Sequence, residues 1–189
     1  MNGRIVKIGV LVAALTAAAG LMSAPWTSSR EPAVARAVST LDGQWVGRQA
    51  PSFSLPGLGG ETHRLSDYRG KVVFLNFWAS FCEPCKREMP SMERLIREYQ
   101  GRGMEMIAVS LDPERADARR FLSEFMAGRR SAMTVLWDRN GEVSADFGTE
   151  LIPETYIIDR RGRIVARFVN EYDWTRPEVK KLVEALLTS

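Results

Sequence analysis

Apolar residues along this 189-residue chain fall into runs whose period switches between two and 3.6. From Val72 to Trp78 every residue but Asn76 is apolar, and β-branched and aromatic side chains dominate. A run this short and this apolar predicts a strand covered on both faces. A helical pattern follows it. At about 100° per residue, Cys85, Met89, Met92, Leu95, Ile96 and Tyr99 share one stripe. Glu83, Lys86, Arg87, Glu93, Arg94, Arg97 and Glu98 take the opposite face. Gly101 and Gly103 stop this helix.

The rest of the chain divides in the same way. Ala50 to Leu55 alternates, meets Gly57, Gly59 and Gly60, and returns over Thr62 to Leu65, which predicts a hairpin. Ser66 to Gly70 is a short turn into the central strand. Met104 to Leu111 is a second apolar strand. Pro113 opens a helix at its favoured first position, running to about Met126 with Phe121, Leu122 and Phe125 inward. Ser131 to Trp137 reads as a strand, Asp138 to Gly141 as a turn and Val143 to Phe147 as a short helix. Thr155 to Ile158 and Ile164 to Val169 form a hairpin through Arg160-Arg161-Gly162. Pro177 opens a last helix with Val179, Leu182, Val183, Leu186 and Leu187 inside. The order is β-β-β-α-β-α-β-α-β-β-α, an α/β fold with a central mixed sheet flanked by helices.

The N-terminal region departs from this pattern. Arg4 and Lys7 precede an apolar run from Ile8 to Met22 that is long for a signal-peptide core and short for a full span. Positive charge there keeps that end in the cytoplasm and sends the rest out. The favoured reading is an uncleaved signal-anchor over residues 1–24, with cleaved export as the alternative. Residues 25–40 are rich in Ala, Ser and Pro without a sustained period, and predict a flexible linker. The folded domain is expected over residues 41–189. The net charge of +3 comes without a basic stripe interleaved with aromatics, which argues against a nucleic-acid partner.

The candidate chemistry sits where the central strand meets its helix. Cys82-Glu83-Pro84-Cys85 holds the only two cysteines of the chain. Two intervening residues let the sulfurs close a small ring within the first helical turn. The unpaired N–H groups and dipole of a helix N-terminus favour thiolate over thiol. Cys82, at the cap, is expected to be the exposed nucleophile, and Cys85, one turn in, the buried resolving thiol. Pro84 falls where a missing N–H costs little. A bridge spanning four residues constrains little of the unfolded chain, so redox use is favoured over a structural staple. Glu88 interrupts the apolar stripe one turn beyond Cys85. Burial would raise its pKa toward neutrality and suit it to take the Cys85 proton. On spacing alone, a rim glutamate with its head in water fits equally well.

Other chemistries lack their residues. The two cysteines and the single His63, expected on the hairpin surface, make a poor metal set. Covalent haem attachment needs histidine after the second cysteine, where Lys86 stands.

The stretch Asn76-Phe77-Trp78-Ala79-Ser80-Phe81-Cys82-Glu83-Pro84-Cys85-Lys86-Arg87-Glu88-Met89-Pro90 resembles the TlpA/ResA-like branch of the thioredoxin family. These are membrane-tethered thiol-disulfide oxidoreductases outside the cytoplasm. The resemblance covers roughly Gly47 to Leu187 and implies a thioredoxin-like fold with an N-terminal β-hairpin extension. It makes Glu88 a buried active-site residue, Pro90 the helix-kinking proline and Asn76 the stand-in for a buried aspartate. Phe81 departs from the usual tryptophan. It also implies that Ile152-Pro153, ordinarily trans, is a cis pair beside the cysteines. Pro153, Ile152, Trp78, Glu83 and Pro84 are the implied docking residues. Glu154, where threonine is usual, would then influence which substrates dock.

The activity so implied is disulfide reduction in partner proteins, with apocytochrome c as one candidate substrate. No cofactor is expected beyond the Cys82–Cys85 disulfide, and no metal. A chain without further cysteines needs a membrane thiol-disulfide electron donor. The implied location is the cytoplasmic membrane, single-pass, with the catalytic domain in the periplasm or outside. An oxidant or isomerase of exported proteins and a non-catalytic binding module are the alternatives. A peroxidase is disfavoured, because the Thr-x-x-Cys signature is absent.

Overall fold

The computed structural model describes residues 31–188, so the expected signal-anchor lies outside the described residues. In chain order the elements are α1 (Glu31–Thr40), β1 (Gln44–Gln49), β2 (Ser54–Pro56), β3 (Thr62–Arg64), a 3-10 turn (Leu65–Tyr68) and β4 (Val72–Trp78). There follow α2 (Glu83–Tyr99), β5 (Met104–Ser110), α3 (Arg115–Met126), β6 (Thr134–Trp137), α4 (Glu142–Phe147), β7 (Glu154–Ile158), β8 (Arg163–Val169) and α5 (Pro177–Leu187). Among the described residues no helix is long and apolar enough to cross a membrane.

Six strands form one mixed sheet in the order β1-β8-β7-β4-β5-β6, and β2 with β3 forms the separate hairpin. Strands β4, β5 and β6 run parallel, while β7, β8 and β1 add on antiparallel. All seven residues of β4 are buried, as a strand covered on both faces requires. The period-two alternation sorts its side chains. Val72, Phe74 and Trp78 join the core beneath α2 and α5. Val73, Leu75 and Phe77 join the second core, with Phe53, Leu55 and Phe147. Asn76 is therefore on the α2 side of the sheet, between Phe74 and Trp78. The expected apolar stripe of α2 is buried along its length.

Several expectations need correction. Residues 31–40 are not a tether but the helix α1, whose Val34 and Val38 are buried in the main core, so the packed structure begins at least ten residues before Leu41. Their spacing of four was masked by the surrounding Ala, Ser and Pro. Strand β1 was also missed; Gly47, at φ 72°, sits where its register with β8 shifts. Pro113 lies outside α3, which Glu114 caps. Strand β6 starts at Thr134 rather than Ser131, because Ser131 Oγ and the Ala132 N–H bond the Glu93 carboxylate instead of a neighbouring strand. Glu93 itself is buried, not on the solvated face. His63, in β3, is half-buried and bonds the Tyr68 hydroxyl at 2.8 Å.

Candidate active site

Strand β4 delivers the chain to the first turn of α2 at the point where the residues that carry the chemistry meet. Cys82 is the N-cap, with extended backbone at φ −87° and ψ 103°. Its Sγ accepts a hydrogen bond from the Cys85 N–H at 3.3 Å, which satisfies one of the orphan donors of the first turn. Pro84 sits in that turn, as its missing N–H predicts. Cys82 and Cys85 are joined as a disulfide with sulfurs 2.09 Å apart. Cys82, expected to be exposed, is nearly buried at 8%, and Cys85 more deeply so at 1%; only the relative order matches the expectation. The Ile152–Pro153 bond is cis, and the Ile152 carbonyl oxygen lies 3.7 Å from Cys82 Sγ.

Glu88 is 3% exposed, so the rim reading does not hold. Its Oε1 accepts from Asn76 Nδ2 at 2.8 Å. Its Oε2 accepts from the Tyr172 N–H at 3.1 Å and from Trp174 Nε1 at 3.3 Å. Burial disfavours the charged form and pushes its pKa up to about 7. The three hydrogen bonds pull the other way and lose, and the nearby Glu171 charge adds to the rise. Asn76 Nδ2 also donates to Thr155 Oγ1 at 2.9 Å, so one amide ties α2 to β7 through β4. A cleft of about 400 Å³ between α2 and residues 171–173 is lined by Glu88, Arg87, Arg94 and Tyr172, and an Arg87–Glu171 ion pair at 2.7 Å lies on it. Glu88 thus holds a titratable proton near neutrality, one helical turn from Cys85 and on the wall of this cleft.

The expected docking residues separate. Glu83 is exposed and pairs with Lys86 at 2.6 Å, which holds its carboxyl below the usual range. Pro84 and Ile152 are part-exposed, and Pro153 is buried beneath them. Trp78 is fully buried against Phe121, with ring centroids 5.4 Å apart, so it supports the site from below and meets no partner. Glu154 is fully buried too. Alternation along β7 puts Thr155 on the Asn76 side and sends Glu154 to the opposite face, where it pairs with Arg167. It cannot touch a docked substrate.

Sequence reasoning missed Trp174, the Tyr172 backbone and Thr155, which lie far from Glu88 along the chain. The one available signal was a tyrosine and a tryptophan within the polar stretch Glu171 to Arg176. It also missed Leu151. Phe81 at 66% and Leu151 at 64% exposure are the large hydrophobics left open among the described residues, and they flank Cys82 and Ile152. Among the described residues no group of three or more His, Cys, Asp or Glu is placed to hold a metal ion.

Comparison with known proteins agrees with this geometry. The AhpC/TSA family model matches residues 46–167. ResA, a thiol-disulfide oxidoreductase of Geobacillus thermodenitrificans, is 36% identical over 141 residues, which is 75% of this chain and 78% of the relative. ResA of Geobacillus kaustophilus is 40% identical over 119 residues, 63% and 66% of the two chains. A crystal structure described as a thiol:disulfide interchange protein DsbE from Chlorobium tepidum superposes with a TM-score of 0.66 at 33% identity, covering 75% of this chain and 96% of the other. With its thioredoxin-like sheet and a cysteine pair at the N-terminus of α2, the chain belongs to the AhpC/TSA family and, with its ResA relatives, to the thiol-disulfide oxidoreductases.

Proposed function

We propose that this enzyme is an extracytoplasmic reductant of protein disulfides, anchored by residues 1–24. The Cys82 thiolate attacks a partner disulfide, forming a mixed disulfide and releasing one partner thiolate. The Cys85 thiol gives its proton to Glu88 and attacks Cys82 Sγ. That step restores the Cys82–Cys85 bond and releases the second partner thiolate. Two electrons pass to the partner, and a membrane thiol donor must return them, because the chain has no third cysteine. The exposed Glu83 and the part-exposed Pro84 and Ile152, with Phe81 and Leu151 beside them, form the docking rim, and Pro153 shapes it from beneath. Apocytochrome c is the substrate that the likeness to the TlpA/ResA-like branch suggests.

The observation that carries this reading is the buried Glu88, held near pH 7, one turn beyond Cys85, whose disulfide partner Cys82 caps the same helix. Equilibration of the full chain with glutathione tests the direction of electron flow. A potential below roughly −230 mV supports a reductant, and one above about −180 mV overturns it in favour of an oxidant or isomerase. Cys82→Ser is expected to abolish disulfide reduction, while Cys85→Ser traps the mixed disulfide. Turnover by Cys82→Ser would sink the assignment.

A further inference from the structure

Sheet register places Trp78 beside Ser110 at the ends of the parallel strands β4 and β5. The chain therefore leaves the sheet twice at neighbouring points. Two residues beyond each exit stand Ser80 and Asp112. Asp112 is 1% exposed, a costly place for a carboxylate without partners. Its oxygens accept from the Ser80 N–H at 3.0 and 3.1 Å, from the Ser80 hydroxyl at 2.5 Å and from the Ser110 hydroxyl at 2.8 Å. Its backbone is held as firmly. The Asp112 N–H donates to Ser110 Oγ at 3.1 Å, and its carbonyl accepts from Trp137 Nε1 at 2.7 Å. The Leu111 N–H donates to the Trp78 carbonyl at 2.8 Å.

Ser80 lies in the middle of the turn that presents Cys82, whose own N–H donates to the Ala79 carbonyl at 3.1 Å. Hydrogen bonds to a charged acceptor are the strong ones, and here three of the four contacts grip a single residue of that turn. We propose that Asp112 is a positioning residue for Cys82. It clamps the turn from Ala79 to Phe81 so that the sulfur stays over the N-terminus of α2. The proposal rests on Cys82 being the attacking thiol.

The clamp is distinguishable from a purely electrostatic effect. Removing a nearby negative charge alone would favour the Cys82 thiolate, as would the loss of Glu83 or Glu88, while Lys86 acts in the opposite sense. Loosening the turn withdraws the sulfur from the helix N-terminus and disfavours the thiolate. The two effects have opposite signs.

The test follows iodoacetamide alkylation of Cys82 against pH in the full chain carrying Cys85→Ser, where Cys82 is the sole thiol. This reads the cap whatever substrate the enzyme reduces. Asp112→Asn is expected to move the alkylation midpoint up by about one pH unit. In the two-cysteine chain it is expected to lower kcat/KM for protein disulfides about tenfold. A folded Asp112→Asn chain whose midpoint stays put or moves down overturns the proposal. Should that variant fail to fold, Ser80→Ala decides: a smaller upward move supports the clamp, and an unmoved midpoint refutes it.

Discussion

The amide of Asn76 and the carboxylate of Glu88 meet at 2.8 Å in the core, one from the central strand and one from the active-site helix. That contact, with the Tyr172 and Trp174 donors, holds a titratable group buried that has no ion-pair partner at hydrogen-bond distance among the described residues. Burial outweighs these donors, so the proton is held near pH 7 rather than near 4.5.

Glu88→Gln removes the acceptor of the Cys85 proton while keeping the shape. Resolution of the mixed disulfide should slow roughly 100-fold at neutral pH, with the first attack by Cys82 little changed. Rapid-quench sampling of the mixed disulfide checks this. Equal resolution rates in the two chains would remove Glu88 from the reaction.

The same group makes stability depend on pH. Its folded pKa is raised above the unfolded value, so the native state holds the proton more tightly between those values. The contribution is complete below about pH 4.5 and is lost as pH rises through 7. Its size is about 3 kcal/mol, from a rise of two to three pKa units. Urea unfolding of the oxidised protein at pH 5 and pH 8 should show that loss, and Glu88→Gln should erase this component. The lowered carboxyls of Glu61, Glu83 and Asp173 act with the opposite sign at more acidic pH.

Asn76→Ala leaves Glu88 Oε1 and Thr155 Oγ1 without their shared donor. Stranding buried acceptors costs roughly 1–3 kcal/mol, more at pH 8, where Glu88 is charged. Denaturant midpoints at the two pH values measure it; a pH-independent loss would mean that Asn76 matters for packing alone.

The redox pair, the central strand and the active-site helix were legible because each is local. Cysteine spacing, a seven-residue apolar run and a 3.6-residue stripe all lie within one short stretch. What completes the site was not legible. Trp174 reaches Glu88 across 86 residues of sequence, and no period links them. Glu154 looked like a docking residue because it follows Pro153 in sequence, yet alternation along β7 turns it away. Its one fully buried carboxylate depends on Arg167, itself part-exposed. Arg167→Leu should therefore cost roughly 3 kcal/mol by stranding a buried charge, while Glu154→Leu with Arg167→Leu should recover most of it. A double replacement no better than the single one would show that the pair matters for its shape rather than its charge.

Helix α1 offers the clearest contrast between a loose tether and a packed element. Val38 is fully buried, and Gly43 just beyond the helix is so closely covered that an added Cβ would stand 2.7 Å from Phe168 and 2.9 Å from Val38. The contact joins α1 to β8, and α1 also packs on α5. A segment that merely linked the domain to a membrane would tolerate any small residue at position 38. In the packed arrangement Val38→Ala removes two buried methyl groups and leaves space that Phe168 and Val34 only partly fill. The expected loss is roughly 2 kcal/mol in urea unfolding, with disulfide reduction unchanged, because α1 contributes no residue to the Cys82–Cys85 site. Gly43→Ala should destabilise as well, by overpacking the same junction. If both variants unfold at the parent midpoint, residues 31–40 are a tether after all, and the folded unit begins near Leu41.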